Sequence, residues 1–356
     1  MLDGLVRLLQ WVAVPSCIMA CTGVQKHGHE LGRGGAQGRP ITSDPTPLRQ
    51  LDAGRDYACA LLATGRVKCS NLCDGTGWSS VPGITNAVFI EVDRSTVSGR
   101  AILADGTVQR WPAKLDPPPA LPPMQSVRVG GCGITRDERL VCWAESEYFA
   151  EWLGVRAAPF TMMDGRRMRD VDLGLGTAYA VDEEGRVYSW GSTANGSFGN
   201  GELLPGLELR PQPVSGLDGV TNVAAGGGVA CALRATGAVE CWGRDVFGKT
   251  PEAPVRVDSP TPVEGVTSAV SISLSWIHGC ALISDGTVRC WGSDLDERNW
   301  GEDDEIRALR RATHVAAGFR HTCVGYANGV VECLGPRGDD CARTAPPRPP
   351  VFRATE

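Results

Sequence analysis

The sequence predicts an all-β protein, a seven-bladed β-propeller, on three observations: a hairpin cassette occurs seven times, a strand-like segment precedes each copy, and no helical period separates them. The cassette is clearest as CALRATGAVECWG, beginning at Cys231. The turns of the seven copies fall at Gly65, Gly106, Glu138, Gly185, Gly237, Gly286 and Gly329. An open solenoid of such units would need distinct capping repeats, which the sequence does not show, so we expect a closed ring.

Each cassette predicts a β-hairpin, because an apolar alternating run leads into a Gly-containing turn and a second alternating run follows. If the turn centres on Thr236, Cys231 lies opposite Cys241 and Leu233 lies opposite Val239. Period-2 alternation then places these four side chains on one face of the sheet. The other face starts with a small residue in almost every copy. We expect the apolar face to make the main contact with a neighbouring sheet.

Cysteine spacing predicts a disulfide-bonded protein from an oxidising compartment, because 14 cysteines are too many for a reducing one. Directly opposed residues of a hairpin have Cα atoms about 4.5–5.5 Å apart, which a disulfide accepts. Buried free thiols are the alternative, and a zinc site is disfavoured because no partner His or CxxC accompanies the pairs. The five predicted hairpin disulfides are Cys59–Cys69, Cys132–Cys142, Cys231–Cys241, Cys280–Cys290 and Cys323–Cys333.

Two hairpins lack this pair and carry Arg100 with Arg110, and Tyr179 with Ser189, at the equivalent positions. Two facing arginines repel each other, so we expect water or an acidic partner beside them. Two further cysteines, Cys73 and Cys341, follow the first and last hairpins. Because the first and last blades of a ring are neighbours, we hypothesise a Cys73–Cys341 disulfide that fastens the ring.

The ends of the chain suggest export. Residues 1–20 are expected to form a lipoprotein-type signal peptide, since the run Ile18–Cys21 resembles a bacterial lipobox and Cys21 would be lipidated; an uncleaved leader is the alternative. Residues 21–47 are predicted as a flexible tether, 48–341 as the propeller and 342–356 as a proline-rich tail. No apolar run reaches the ~20 residues of a membrane span, so membrane attachment is expected only through lipid. The expected location is the outer membrane or cell surface, or else the periplasm or the extracellular space.

The stretch from Trp190 to Leu233 resembles the repeat of the regulator-of-chromosome-condensation family, with Trp-Gly, a Gly-rich loop, a Pro-Val segment and an Ala-Gly strand. The resemblance spans residues 48–336 and implies a seven-bladed propeller. The guanine-nucleotide exchange activity of the best-known member is not expected in an acidic, exported chain without an exchange motif. The chain looks closer to exported bacterial members, and this implies a ring that serves as a scaffold for protein contacts.

No catalytic residue, metal site or cofactor is predicted. The common hydrolase, metalloprotease and phosphate-loop motifs are missing from the sequence, and repeat alignment places no cluster of carboxylates at the ring axis. His278 and His321 occupy one repeat position, which predicts a structural hydrogen-bonding role. A net charge of −6, with only four lysines, gives no basic face for nucleic acid.

Aromatic residues in the loops predict protein binding. Tyr148, Phe149 and Trp152 lie between two hairpins and are the candidate binding residues, although they could instead cover a blade edge. Phe198, Phe247 and Trp300 are expected to fold back on the blades. The sequence therefore predicts a monomeric, exported, lipid-anchored scaffold without catalytic activity that binds an unidentified protein. The alternatives are a propeller enzyme acting on extracellular glycan or peptide, and a structural envelope protein.

Overall fold

The fold is described here from a computed structural model of the chain. Its described residues are 39–40, 46–72, 77–94, 96–112, 118–145, 150–151, 154, 158–193, 197–201, 206–244, 256–276, 278–292, 310–319 and 321–335. The chain divides into Met1–Gly35 and Ala36–Glu356, and every described residue lies in the second unit. Within these ranges there is no helix with the length and apolar character that crossing a membrane requires.

The described residues form seven antiparallel sheets, one for each predicted cassette. Blades 1 to 3 contain β2 Leu48–Ala53, β3 Tyr57–Leu62, β4 Val67–Asn71, β5 Ser79–Ser80; β6 Ala87–Val92, β7 Gly99–Leu103, β8 Val108–Trp111; and β9 Met124–Arg128, β10 Cys132–Thr135, β11 Leu140–Cys142, β12 Phe160–Met162. Blades 4 and 5 contain β13 Met168–Leu173, β14 Thr177–Asp182, β15 Val187–Ser192, β16 Leu207–Pro213; and β17 Val220–Ala225, β18 Val229–Arg234, β19 Val239–Arg244, β20 Arg256–Pro262. Blades 6 and 7 contain β21 Ala269–Leu274, β22 His278–Ile283, β23 Val288–Gly292; and β24 Ala312–Ala317, β25 Thr322–Tyr326, β26 Val330–Leu334, with β1 Arg39–Pro40. In all seven blades the strand preceding the cassette is innermost.

The predicted hairpin register is confirmed. In blade 5, Cys231 lies opposite Cys241 and Leu233 opposite Val239. The five cysteine pairs have Cα atoms 4.0–4.1 Å apart, nearer than expected, with their sulfur atoms at bonding distance. The pairs are therefore compatible with the predicted disulfides.

Each hydrophobic cluster lies between two successive blades. Between blades 5 and 6, for example, Leu233 and Val239 pack with Ile272, Ala281 and Trp291. The apolar face of one blade thus meets the small-residue face of the next. This confirms the expectation that the apolar face contacts a neighbouring sheet. The small residues also make room for the cassette tryptophan, because a Cβ on Gly279 would lie 2.8 Å from the Trp291 ring.

The ring closes through contacts between β24 and β2, and the last sheet is completed from the other end of the chain. Arg39 and Pro40 form β1, which pairs with Val331 and Val330 of β26. The sequence assigns both residues to the flexible tether of residues 21–47, and in the structure they pair with the last blade. The reason is that the outer edge of β26 offers unpaired backbone groups, which even two residues can satisfy.

Blade 3 has four strands, whereas blades 2 and 6 have three among the described residues. In blade 2 the chain after the outermost strand, β8, is rich in proline: its described part contains Pro118, Pro119, Pro122 and Pro123. Proline has no backbone N–H to donate to a neighbouring strand. The described part of this segment accordingly forms no strand beside β8.

Candidate functional site

The innermost strands arrange polar side chains around the ring axis. In every blade the second residue of this strand is bulged out of the register with its partner strand. The fifth residue then lies opposite the first cassette position and is directed towards the adjoining blade. In blades 1 to 7 this residue is Asp52, Glu91, Arg128, Asp172, Ala224, Ser273 and Ala316.

Arg128 is the centre of an axial cluster, which we define as Asp52, Glu91, Arg128, Asp170 and Asp172. The Arg128 guanidinium lies 3.3 Å from a carboxylate oxygen of each of Glu91, Asp170 and Asp172. Its Cζ atom lies 5.4 Å from the centre of the Phe89 ring. One largely buried cation therefore joins blades 2, 3 and 4.

Other side chains of the innermost strands bind the backbone of the following blade. Asp52 accepts a hydrogen bond from Val92 N at 2.7 Å, and Asp172 accepts one from Ala225 N at 2.8 Å. Ser273 accepts one from Ala317 N at 2.9 Å. An innermost strand has no further strand on its axial side, so its N–H groups need such acceptors. These carboxylates and this hydroxyl therefore act as ties between blades.

The expectation that no carboxylates gather at the axis is wrong. Four carboxylates meet there, because the bulge at the second position shifts the alternation on which the prediction depended. Glu91 and Arg128 also lie in degenerate copies, where the aspartate of Leu51-Asp52-Ala53 cannot be recognised by alignment.

Burial changes the ionisation of the axial cluster. It raises the pKa of Glu91 to about 8, with the neighbouring carboxylates of Asp52 and Asp172 acting in the same direction. Burial raises the pKa of Asp170 to about 6, although Arg128 and the N–H of Val223 oppose it. The pKa of Asp52 is raised for the same first cause. At neutral pH the cluster therefore holds a proton on Glu91.

The contacts of the axial cluster hold neighbouring blades together. Every one of its carboxylates contacts an arginine or accepts a backbone N–H bond. The partners are Val92 for Asp52, Arg128 for Glu91, Arg128 and Val223 for Asp170, and Arg128 and Ala225 for Asp172. Among the described residues no group of three or more His, Cys, Asp or Glu side chains is placed to hold a metal ion.

The two repeat-position histidines are buried. His278 Nδ1 lies 2.9 Å from Ser275 Oγ, and its Nε2 lies 2.9 Å from Thr322 Oγ1 in blade 7. Burial lowers the pKa of His278 to about 3 and that of His321 to about 4, so both are neutral at pH 7. The contacts of His278 agree with the structural role expected for this position, while His321 Nε2 has no partner among the described residues.

Blade 2 replaces the cysteine pair with an ion pair. Arg100 lies opposite Arg110, and Glu145 from blade 3 contacts both guanidinium groups, the second at 3.6 Å. Glu145 also accepts a hydrogen bond from Gly130 N at 3.1 Å. This glutamate is the acidic partner that the facing arginines require.

Two exposed apolar side chains, Leu175 and Trp276, and the partly exposed Phe319 and Arg55 lie on loops at one end of the axis. We call this end the inner-loop face, because the innermost strand of each blade ends there and the second strand begins. Its aromatic rim consists of Arg55, Leu175, Trp276 and Phe319. The ring centres of Trp276 and Phe319 are 5.8 Å apart, and the Arg55 guanidinium lies 5.6 Å from the Phe319 centre. Leu175 is 51% exposed and Trp276 is 41% exposed.

Several predicted residues lie outside the described residues: Cys21, Cys73, Tyr148, Phe149, Trp152, Phe247, Trp300 and Cys341. Phe198 is buried, as expected. The strand that precedes Tyr148 ends at Cys142 on the inner-loop face. The rim could not be recognised from the sequence, because its residues come one each from four inner loops. The feature that marks them is the variable residue after the Gly or Ser that follows an innermost strand.

The geometry defines the class of protein: a closed seven-bladed β-propeller whose blades are joined by axial side chains. The model described as the regulator of chromosome condensation (RCC1) repeat matches residues 184–233. The human protein RCC1 domain-containing protein 1 is 27% identical over 247 residues, which are 62% of this chain and 60% of that protein. The chain therefore spans less than two thirds of this relative's length. Together these matches show that the chain is similar to proteins built from regulator of chromosome condensation repeats.

One solved structure shows the same fold. Human WBSCR16 aligns with a TM-score of 0.59 and 14% identity, over 81% of this chain and 87% of that one. Yeast RCC1 (Prp20), solved bound to Kap60, aligns with a TM-score of 0.48 and 17% identity, over 80% of this chain and 69% of that one.

Proposed function

We propose that this protein is a scaffold that binds another protein through the inner-loop face and performs no catalysis. The observation that carries the proposal is the aromatic rim. Trp276 and Leu175 are exposed large apolar side chains on short loops between paired strands. Exposed aromatic and arginine side chains on a rigid support are typical of the residues that dominate protein–protein binding energy.

The proposal includes an oxidising location. We propose that the protein is exported, that Cys21 is lipidated and that the five hairpin pairs are disulfides. The pairs lie at directly opposed cross-strand positions, with their sulfur atoms at bonding distance. Lipidation is tested by labelling cells with a fatty-acid analogue, which should be incorporated into the wild-type protein and not into Cys21→Ser.

Binding is tested with matched surface variants. The rim variant carries Leu175→Ala and Trp276→Ala. The control variant carries Val88→Ala and Val270→Ala, which are similarly exposed, at 39% and 56%, where the innermost strands begin at the opposite end of the axis. We expect the wild type and the control to retain one stoichiometric partner from the envelope or culture fluid, and the rim variant to lose it.

Equal retention by both variants would show that the partner does not use the rim. Turnover of any glycan or peptide in a substrate panel by the purified ring would contradict the absence of catalysis.

A further inference from the structure

We infer that the axial site at the inner-loop face, formed by the Ala225 carbonyl and the Asp172 carboxylate, recognises an arginine side chain presented by a protein partner, in the position that Arg94 of the chain itself occupies. The inference rests on the proposed function, because it names the chemistry of the partner at the same face.

Arg94 crosses the ring axis. It follows β6 in blade 2, yet its guanidinium donates to the carbonyl oxygen of Ala225 in blade 5. Its Nη2 atom lies 3.6 Å from the Asp172 carboxylate in blade 4. A carbonyl and a carboxylate on the far side of the ring thus form a receptor for a guanidinium, and the chain fills it with its own side chain.

The charges of the axial site favour a cation. The axial cluster has four carboxyl groups, and with the proton on Glu91 three of them are charged. Among the described residues the arginines that contact the cluster are Arg128 and Arg94. Arg128 is 14% exposed and contacts three carboxylates, so it is a fixed part of the ring. Arg94 is 29% exposed and comes from a loop. Of the two cations, Arg94 is therefore the one that a ligand can replace.

The residues around the axial site can accommodate the methylene groups of an arginine side chain. Gly226 directly follows Ala225, and its carbonyl accepts a hydrogen bond from Leu175 N at 3.1 Å. Trp276 packs on Gly227, where a Cβ would lie 3.2 Å from the Trp276 Cβ. The glycines that follow Ala225 therefore lie beside Leu175 and Trp276, and residues 226–228 contribute no side chains. A long side chain can lay its methylene groups on such apolar walls and keep its charged end at the polar atoms.

A guanidinium suits this receptor better than an ammonium does. Its planar arrangement of N–H groups can bond the Ala225 carbonyl and approach the Asp172 carboxylate together, as Arg94 does. An anionic ligand is disfavoured, because it would meet the carboxylate surplus of the axial cluster.

The test empties the receptor and offers it a small arginine. Arg94→Ala is titrated with N-acetyl-L-arginine amide, and the midpoint of thermal unfolding is recorded with heats of binding. We expect a saturable rise of the midpoint, with a dissociation constant at least about tenfold lower than for the wild type, in which Arg94 competes for the same position. N-acetyl-L-citrulline amide, which has the same shape without the charge, should have no effect.

Two variants control the site. Arg55→Ala removes another arginine of the same face and should respond to the probe as the wild type does. Arg94→Ala with Asp172→Asn should lose the response, because asparagine keeps an acceptor for Ala225 N without the negative charge. If Arg94→Ala does not fold, Arg94→Gln is titrated in its place with the same expectation.

The inference is wrong if the arginine amide gives no saturable response, if the citrulline amide matches it, if N-acetyl-L-lysine amide binds more tightly, or if Asp172→Asn leaves the response intact. A failed probe titration alongside rim-dependent capture of a partner would overturn this inference and leave the proposed function standing. If partner capture does not depend on the rim while the probe still binds, the proposed function would be contradicted and the arginine site would stand.

Discussion

At the scale of single residues, the hairpin of blade 2 depends on a side chain from blade 3. Where five other hairpins have a cysteine pair, Arg100 and Arg110 face each other, and Glu145 contacts both. The Arg100 and Glu145 side chains are 4% and 8% exposed, so water cannot replace either partner at low cost. One carboxylate here links two strands and two blades at once.

Glu145→Ala should therefore lower the free energy of unfolding by about 3–5 kcal/mol, the cost of leaving a buried charge without its partner. The measurement is chemical denaturation followed by tryptophan fluorescence. Glu184→Ala is the matched control, because it removes the Arg186–Glu184 pair, whose side chains are 48% and 56% exposed. The control should lose less than about 1 kcal/mol. Equal losses in the two variants would contradict the role of Glu145.

The axial cluster predicts that stability falls as pH rises above neutrality. The folded ring holds the pKa of Glu91 at about 8, above its usual value near 4.5, so unfolding releases a proton between these values. The contribution of Glu91 to the free energy of unfolding is complete below pH 4.5 and is lost as the pH rises through 8. The groups that bear on it are Arg128 and Arg94, which lower its pKa, and Asp52 and Asp172, which raise it.

Denaturation midpoints measured between pH 7 and 8 check this dependence. The buried histidines act in the opposite direction, because the ordinary histidine pKa of 6.5 falls to about 3 and about 4 in the folded ring. In the unfolded chain each is still about a quarter protonated at pH 7, and this opposing effect fades towards pH 8. The wild type should lose up to about 1 kcal/mol per pH unit in this window. Glu91→Gln should flatten the slope, and an unchanged slope in that variant would contradict the assignment.

At the scale of elements, the hairpins could be predicted from the sequence and the axial ties could not. Register follows from local turn chemistry and alternation, as Cys231 and Cys241 show. The ties join residues far apart in the chain: 40 positions separate Asp52 from Val92, and 53 separate Asp172 from Ala225. No local pattern encodes such a contact, and the bulge in each innermost strand removes the parity that would indicate its direction.

β1 gives a prediction for a single element. A chain that begins at residue 46 lacks Arg39 and Pro40, so Val330 and Val331 of β26 lose their pairing partner. We expect at least about tenfold faster amide hydrogen exchange in β26, because an unpaired edge opens locally at low cost. A chain that begins at residue 36 keeps β1 and is the control. The same exchange rate in both chains would show that β1 does not protect the last blade.

At the scale of the whole molecule, stability is distributed around the ring rather than collected in one core. The hydrophobic clusters lie between successive blades, and most blades add a cysteine pair of their own. The pairs close loops of equal length at ten-residue separation, so each bridge should contribute a similar ~2–3 kcal/mol by restricting the unfolded chain. Blades 2 and 4 are the exceptions, and they sit on either side of blade 3.

Reduction should therefore loosen the blades that have a cysteine pair and leave the other two unchanged. Under a reductant we expect faster hydrogen exchange in the hairpins of blades 1, 3, 5, 6 and 7, and little change in those of blades 2 and 4, where Arg100 faces Arg110 and Tyr179 faces Ser189. The latter two blades are internal controls within one sample. Before reduction, the ten paired cysteines should resist alkylation in denaturant, because a disulfide has no thiol to modify. Alkylation of these cysteines without reductant, or uniform loosening of all seven hairpins, would contradict the disulfides. Protection that persists under the reductant only in blades 2 and 4 would support them.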